Sequence, residues 1–300
     1  MKFNFVKNRK YFFTFSIIVV IAALVLSFIL PPNISIEFKG GTIITYSYEN
    51  EVDQNAFKAT VENIAGRATV SESNSLATGA KNLVVSLASN DGITLEKLNE
   101  ITEAVEKDYG VKYVESSTVN PTIGKELLIK SLIAVALAAV LMIVYIGWRF
   151  RKIGGWSAGV CSVIALLNDI LVIYLTFVIF RFNFDTNFIA VVLTILGYSV
   201  NDTIVIYDRI RENRKTMGAE VPIGELVNTS LNQCLGRTFN TTLTTVSSLV
   251  VICVVALIFN VSSILTFAFP MMIGMIHGVY SSLCIAPQLW VLWCERKKNK

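Results

Sequence analysis

Residues Phe188–Tyr207 read FIAVVLTILGYSVNDTIVIY, an apolar stretch long enough to cross a bilayer, and Asp202 stands near its middle. A carboxylate at that depth costs about 2.5–3.5 kcal/mol on insertion scales, so it is tolerated where it faces the interior of a helix bundle or water. Residues of this kind commonly carry protons or ions. The stretch therefore predicts an ion-coupled membrane protein. The alternative interpretation of Asp202 is a buried carboxylate that only holds helices together.

The composition of the whole chain predicts an α-helical polytopic membrane protein. Of its 300 residues, 53% are hydrophobic and 16% are charged, which is too apolar for an ordinary soluble domain. Six apolar stretches are long enough to cross about 30 Å of hydrocarbon. They are Tyr11–Leu30, Leu127–Trp148, Trp156–Phe180, Phe188–Tyr207, Thr241–Phe259 and Leu265–Trp293.

The basic residues of the short loops predict the orientation, because cytoplasmic loops are enriched in Lys and Arg. Both termini and the loops after the second and fourth stretches are basic, whereas 182–187 and 260–263 contain no Lys or Arg. We therefore expect both termini in the cytoplasm and segment 31–125 outside. That segment has 8 Lys/Arg and 13 Asp/Glu, so its net charge is 8 − 13 = −5. The formal +4 of the chain then belongs to the cytoplasmic face, and it does not indicate nucleic-acid binding.

The first apolar stretch is expected to be a retained anchor in the lipid bilayer. Its start is basic, as in a cleaved signal peptide, but its 20 residues exceed the usual signal core and Phe28–Pro32 offers no small-residue cleavage site. The five cysteines lie in the spans or on the cytoplasmic side and form no Cys-x-x-Cys, so we expect neither disulfides nor a metal site. The chain has no hydrolase motif or phosphate-binding loop, so we expect no cofactor and no enzymatic activity.

Segment 31–125 is predicted to form a small extracytoplasmic α+β domain between the first and second spans. Its strands are expected at Gly41–Tyr48, Arg67–Ser73, Asn82–Leu87 and Val111–Val119. Asp53 and Thr94 are expected to cap two helices, the second ending at Gly110, and 73–81 is expected to be a polar turn. The order βαββαβ is that of a ferredoxin-like unit.

The predicted division of the chain is therefore 1–30 for an N-terminal stub and the first span, 31–125 for the α+β domain, and 126–300 for a five-helix transmembrane domain. The last part includes a cytoplasmic helical loop at 208–236. Within it, Arg209–Leu235 is expected to form a hairpin whose second helix opens at Pro222, and a plain connecting loop is the alternative. We expect three apolar residues of the hairpin to lie on the membrane surface: Leu226, Val227 and Leu231.

Two stripes of polar residues are predicted on the fourth and fifth spans. Thr194, Gly197/Tyr198, Asn201/Asp202 and Asp208/Arg209 recur at helical spacing, whereas Leu193, Leu196, Val200 and Ile204 occupy the lipid-suited remainder of the fourth span. The second stripe comprises Arg237, Thr241, Thr244/Thr245 and Ser248. We expect the stripes to face each other as a wet seam with Asp202 and Arg237 as its pair. Charged Asp202 attracts Arg237, and protonation removes that attraction.

Other interpretations of these residues are open. Arg237 can instead anchor a span end to lipid headgroups, and the hydroxyls of the second stripe can bond to carbonyls of their own helix. Asp169, beside Asn168 in the third span, either hydrates the seam or bonds to a neighbouring helix. His277 is the single histidine of the chain, and it either packs with a hydrogen bond among small residues or relays protons.

The chain resembles the SecF proteins, protein-export membrane subunits that work with SecD and belong to the resistance–nodulation–division superfamily. The resemblance covers nearly the whole chain. It is most specific in GYSVNDTIV at Gly197–Val205, which continues as YDRIREN at Tyr207–Asn213. Supporting pieces are Gly40-Gly41, Arg237-Thr238 with Thr244-Thr245, and Tyr280-Ser281-Ser282. The chain departs from the family at Asn168, where a histidine commonly precedes the aspartate, and at Glu37-Phe38-Lys39, where Asp-Phe-Thr is usual.

The resemblance implies a complex in the bacterial plasma membrane in which a SecD-like subunit supplies the other half of a twelve-span assembly. Its further partners would be a SecYEG-type channel and the translocating preprotein. The implied function is to use the proton gradient, or in some bacteria the sodium gradient, to promote translocation and release of proteins. Asp202 and Arg237 match the residues implicated in ion coupling, and Asp169 is a further candidate. The alternatives are a non-catalytic scaffold for the SecD-like partner and small-molecule efflux, which the single small external domain disfavours.

Overall fold

The computed structural model of the chain describes residues 3–48, 52–74, 81–87, 93–218 and 220–298. Within these ranges, six helical spans are long and apolar enough to cross a membrane, and a small antiparallel sheet lies between the first and second of them. The fold class predicted from the sequence is confirmed. The helices of the spans are α1 (Arg9–Ile29), α5 (Pro121–Arg149), α6 (Gly155–Ile179), α7 (Thr186–Met217), α8 (Ile223–Ile258), and α9 (Ser262–Tyr280) with α10 (Ala286–Lys298).

Two of these helices run well past their apolar stretches. Helix α7 continues to Met217 and α8 starts at Ile223, directly after Pro222, so the two form a helical hairpin rather than a plain loop. Asn213 Nδ2 joins the arms by donating to Ser230 Oγ at 2.8 Å. The sixth span is interrupted by a π-helical segment, Ser281–Ile285, between α9 and α10. Insertions of this kind occur frequently at functional sites.

The two ends of the bundle differ in charge. The end that carries Arg149, Arg209 and Arg296 is called the basic end below, and the opposite end, which carries the strands, is called the sheet end. A buried apolar cluster lies at the basic end, where Phe5, Phe150 and Trp290 pack with residues of the hairpin. The prediction that Leu226, Val227 and Leu231 lie on the membrane surface is wrong, because all three are completely buried in this cluster.

The sheet forms as the alternation of residues predicts. Its strands are β1 (Gly41–Tyr48), β2 (Ala68–Asn74), β3 (Lys81–Leu87) and β4 (Lys112–Val119), in the antiparallel order β2-β3-β1-β4. Helices α3 (Gln54–Ala65) and α4 (Leu95–Tyr109) place Phe57, Val61, Ile101 and Val105 in the domain core, and all four are completely buried. The order β1-α3-β2-β3-α4-β4 is the predicted ferredoxin-like one.

The helix caps of this domain are partly as predicted. Asp53 accepts hydrogen bonds from Asn55 N and Ala56 N and so caps α3. Thr94 occupies the N-cap position of α4, but its side chain makes no capping hydrogen bond. Gly110 ends α4 in the left-handed conformation. Most of the polar turn predicted at 73–81 falls on 75–80, which lie outside the described residues.

Residues 31–40 join the first span to the sheet and also contact the rest of the sheet end. Ile34 pairs with Phe184 in an isolated parallel bridge, and Glu37 Oε2 accepts a hydrogen bond from Thr186 N at 3.0 Å. The short helix α2 (Ile36–Lys39) ends at Gly40, where φ is +83°. A Cβ on Gly40 would lie 2.5 Å from Pro121 Cα, at the start of α5. The chain therefore enters and leaves the domain at one crowded point.

Candidate functional site

Asp202 lies at the edge of α7 that meets α8. Two residues on the same edge contact α8 directly. Tyr198 OH donates to Thr242 Oγ1 at 3.3 Å, and Arg209 Nε donates to Gln233 Oε1 at 2.7 Å. Between them, Asp202 is only 4% exposed, and its Oδ2 atom is buried without a hydrogen-bond partner among the described residues. One oxygen of this carboxyl group is thus buried and unsatisfied, which is costly for the charged form.

Arg237 is close to Asp202 but does not contact it. No ion pair within 4.0 Å joins the two side chains in the part of the chain that the structure describes. The Arg237 charge acts on the Asp202 carboxyl through space. Arg237 is exposed and lines a cavity of about 430 Å³ toward the basic end, together with Arg149, Asp208 and Glu212. The structure therefore places Asp202 and Arg237 near each other, as predicted, but without an ion pair between them.

Apart from the buried Asp202, the two polar stripes are exposed or half-buried and do not pack face to face within this chain. On α7, Thr194, Gly197 and Asn201 are exposed; on α8, Arg237, Thr241, Thr244 and Ser248 are exposed. The assignment of Leu196 and Val200 to a lipid-facing side is wrong, because they are 2% and 8% exposed and pack in the bundle core. Thr194, Gly197 and Asn201 thus occupy the outward side of α7, within the length of a span.

The hydroxyl groups of the α8 stripe bond to their own helix. Thr241 Oγ1 donates to Arg237 O at 2.9 Å, Thr244 Oγ1 to Thr241 O at 2.8 Å, and Ser248 Oγ to Thr244 O at 3.2 Å. The alternative interpretation, that these hydroxyls donate to carbonyl groups of their own helix, is therefore correct for their O–H groups. Each hydroxyl oxygen still has lone pairs to accept a hydrogen bond from water or from another helix.

Asp169 belongs to a separate buried cluster. It is completely buried on α6, and its Oδ2 atom accepts hydrogen bonds from Ser199 Oγ of α7 at 2.9 Å and from Ser281 Oγ of the π-helical segment at 2.8 Å. His277 Nε2 lies 2.8 Å from Asn168 Oδ1 and 3.7 Å from Asp169 Oδ1. Asp169 thus bonds to neighbouring helices, and His277 is hydrogen-bonded and 8% exposed.

Sequence reasoning missed the roles of Ser199 and of the π-helical segment. Ser199 was part of the GYSVNDTIV motif, and its spacing of three residues from Asp202 indicates a shared side of α7. Its partner on α6 cannot be read from that spacing. Sequence reasoning also missed the ion pairs at the basic end, where Asp208 Oδ1 lies 3.5 Å from Arg149 Nη2 and 2.5 Å from Arg211 Nη2.

Comparison with known proteins adds an independent result. Residues 97–296 match the family described as protein export membrane protein SecD/SecF, C-terminal. A protein translocase subunit SecF from Sebaldella termitidis is 34% identical over 99% of this chain and 94% of its own length. A protein translocase subunit SecDF from Bacillus subtilis is 33% identical over 100% of this chain, which spans only 39% of that protein. The crystal structure of SecDF from Thermus thermophilus, a translocon-associated membrane protein, matches with a TM-score of 0.83 at 30% identity, again over 100% of this chain and 39% of that one.

Proposed function

Because the chain belongs to the SecD/SecF family of protein-export membrane proteins, we propose that it is a SecF-type accessory subunit of a bacterial protein translocase. In this proposal it lies in the plasma membrane with both termini in the cytoplasm, so that the basic end is cytoplasmic and 31–125 form an extracytoplasmic domain. It promotes translocation and release of preproteins delivered by a SecYEG-type channel. The energy comes from an ion gradient.

The observation that carries the proposal is the buried, unsatisfied carboxyl of Asp202 with Arg237 nearby but out of contact. A carboxylate and a guanidinium that attract each other but are not in contact can adopt two arrangements, one with an ion pair and one with the groups separated. Deprotonated Asp202 draws α8 toward α7 through Arg237, and a proton on Asp202 removes that attraction. One charge moved across 100 mV is worth about 2.3 kcal/mol, enough to change the ratio of two such arrangements about fifty-fold.

The exposed stripes support a partner subunit. Polar side chains that face hydrocarbon are costly, so the stripes of α7 and α8 need a protein or a water-filled cavity beside them. The SecDF relatives contain more than twice the length of this chain. A SecD-like subunit is therefore the proposed cover, and it would convert the exposed faces of α7 and α8 into an enclosed polar path to Asp202.

The test is gradient-driven secretion in membrane vesicles that contain the chain and its SecD-like partner. Asp202→Asn preserves the shape of the side chain but cannot exchange a proton, so we expect normal assembly and no response of secretion to the gradient. Asp208→Asn is the matched control: it removes an acid of the same helix that is already paired with Arg149 and Arg211, and the response should persist. Imposing proton and sodium gradients separately identifies the ion.

Arg237 gives a second comparison in the same vesicles. Arg237→Lys retains the charge that acts on Asp202 and should keep a gradient response, whereas Arg237→Gln should lose it. If Asp202→Asn supports secretion that still rises with the imposed gradient, the coupling role is refuted and the subunit acts as a scaffold for its partner.

A further inference from the structure

In the polar cluster around Asp169, the Oδ1 atom of Asp169 has no hydrogen bond within the described ranges, and the nearby His277 ring has an N–H that could donate either to Asn168 or to Asp169. Asp169 Oδ1 is buried and receives no hydrogen bond from the described residues. The amide oxygen of Asn168 can only accept, so the 2.8 Å contact identifies Nε2 of His277 as the donor. Asp169 Oδ1 lies 3.7 Å from the same nitrogen, which is 3.7 − 2.8 = 0.9 Å farther than the bonded oxygen of Asn168. A small rotation of the ring can therefore exchange one acceptor for the other.

Within the part of the chain that the structure describes, the pair has no fixed countercharge beside it. Among the described residues, no Lys or Arg forms an ion pair with Asp169. Its two serine donors are neutral, and they come from α7 and from the π-helical segment. Tyr280 is a further titratable neighbour of the ring, and its hydroxyl donates to Phe12 O at 2.6 Å. Helix α1 contributes the Phe15 ring, with its centroid 6.4 Å from that of His277. Among the described residues, the ion-pair partner of a carboxylate at Asp169 is therefore His277.

These contacts define a site for one proton. With the proton on Asp169 Oδ1, both side chains are neutral and Nε2–H remains on Asn168. When the proton leaves, the carboxylate is stabilised by two serine hydroxyls and draws Nε2–H from Asn168 Oδ1 to its own Oδ1. The proton is taken from or released to solvent, and no other bond is made or broken.

We propose that Asp169 and His277 form a second proton-binding site, separate from Asp202, in which the imidazole changes its hydrogen-bond acceptor with the charge of the carboxyl group. The imidazole reaches Asn168 from α9.

The site also joins the helix of Asp202 to the interrupted sixth span. Ser199 bonds to Asp169 and lies three residues before Asp202 on α7, and Thr203 Oγ1 donates to Ser199 O at 3.0 Å. Ser281 is the first residue of the π-helical segment, where an added residue per turn allows a local change of helical register. The charge of Asp169 therefore acts on the position of α7 against α6 and the π-helical segment.

The single histidine makes a direct test possible in the unaltered chain. The full chain is labelled with ¹⁵N-histidine, purified without a polyhistidine tag and placed in lipid nanodiscs. NMR spectra between about pH 4 and pH 10 then report on His277 alone. We expect the Nε2 signal to move in one step as its acceptor changes. Asp169→Asn should abolish the step or move its midpoint by at least about one pH unit, which is a tenfold change in proton affinity, and Asp202→Asn should leave the midpoint in place.

The same spectra can overturn the proposal. A His277 signal that stays constant with pH, or a step that disappears in Asp202→Asn but persists unchanged in Asp169→Asn, rules out a separate site. If Asp169→Asn does not fold, Ser281→Ala serves instead, because it removes one of two donors to the charged carboxyl and must raise the midpoint. A midpoint that is unchanged or lower in Ser281→Ala refutes the assignment. Since proton binding and not secretion is measured, the result does not depend on the proposed export function.

Discussion

Replacing Gly40 tests whether the crowded entry point of the α+β domain constrains the backbone there. Gly40 has φ +83° and ψ 161°, and Gly66, after α3, has φ +85° and ψ −155°. Both lie in a region that is essentially reserved for glycine, so alanine at either position should cost about 1–3 kcal/mol in backbone strain. The two sites differ in space. The Cβ of Gly40→Ala would lie 2.5 Å from Pro121 Cα, whereas no atom of the described residues beyond its chain neighbours lies within 4 Å of the Cβ in Gly66→Ala.

The difference between the two variants isolates the close approach. Carbon atoms prefer a separation of about 3.5–4.0 Å, so Pro121 or the 31–40 segment must move by about 1 Å in Gly40→Ala. Overpacking of this kind typically costs about 1–3 kcal/mol. That excess corresponds to about 5- to 150-fold faster amide exchange at the junction if exchange reports the local opening equilibrium.

Hydrogen–deuterium exchange of the full chain in nanodiscs gives the measurement. Peptides that cover α2, the start of β1 and the start of α5 should exchange faster in Gly40→Ala than in Gly66→Ala. The effect of Gly66→Ala should be confined to the turn between α3 and β2. Equal protection of the junction in the two variants would show that the chain relaxes freely around Pro121 and that the close approach does not constrain Gly40.

Two further substitutions probe a half-buried carboxyl group and a buried amide. Burial raises the pKa of Asp185, which caps α7 through Phe188 N, and the nearby Glu37 adds to the rise. The folded state therefore holds this proton more tightly than the unfolded state, so the contribution of Asp185 to stability is present below its ordinary pKa of 3.8 and is lost as pH rises through the folded value. Asp185→Asn keeps a capping oxygen but has no proton to lose. The melting temperature of this variant, relative to that of the unaltered chain, should therefore increase as pH rises from about 4 to 7. A difference that stays constant across that range would contradict this. Gln288 on α10 is completely buried, and neither Nε2 nor Oε1 has a hydrogen-bond partner among the described residues. Gln288→Met should raise the melting temperature in detergent by removing an unsatisfied polar group worth about 1–3 kcal/mol, and a lower melting temperature would indicate a partner for the amide.

Hydropathy and side-chain alternation were sufficient to predict the six spans and the order of the strands, because each of these patterns is local. Helix ends were less predictable. Hydropathy falls after Tyr207, but the polar residues that follow are good helix formers, so α7 continues to Met217. The π-helical segment at Ser281–Ile285 has no distinct periodicity over its five residues, and nothing in the sequence separates it from an ordinary helix.

The candidate site was predictable in its residues but not in its contacts. An acid within an apolar span is conspicuous, so Asp202 and Asp169 could be selected from the sequence alone. Leu196 and Val200 were misplaced because leucine and valine suit lipid and a protein core equally well. Hydropathy therefore does not show which face of a helix in a bundle points toward the core and which toward lipid. The contacts of Asp169 with Ser199, Ser281 and His277 depend on the arrangement of α6, α7 and the sixth span, and no spacing within one helix encodes it.

The hydrogen bond from Thr186 N to Glu37 Oε2 connects the first turn of α7 directly to the segment that leads into the sheet. If α7 slides along its axis, this bond must either break or pull residues 31–37 with it. Breaking a hydrogen bond to a charged acceptor costs up to about 1.5–3 kcal/mol, a range that includes the roughly 2.3 kcal/mol which 100 mV supplies to one charge. The energy of one charge at 100 mV therefore lies within the range that breaking this bond requires, so an axial shift of α7 either breaks the bond or moves residues 31–37 and the start of the sheet with it.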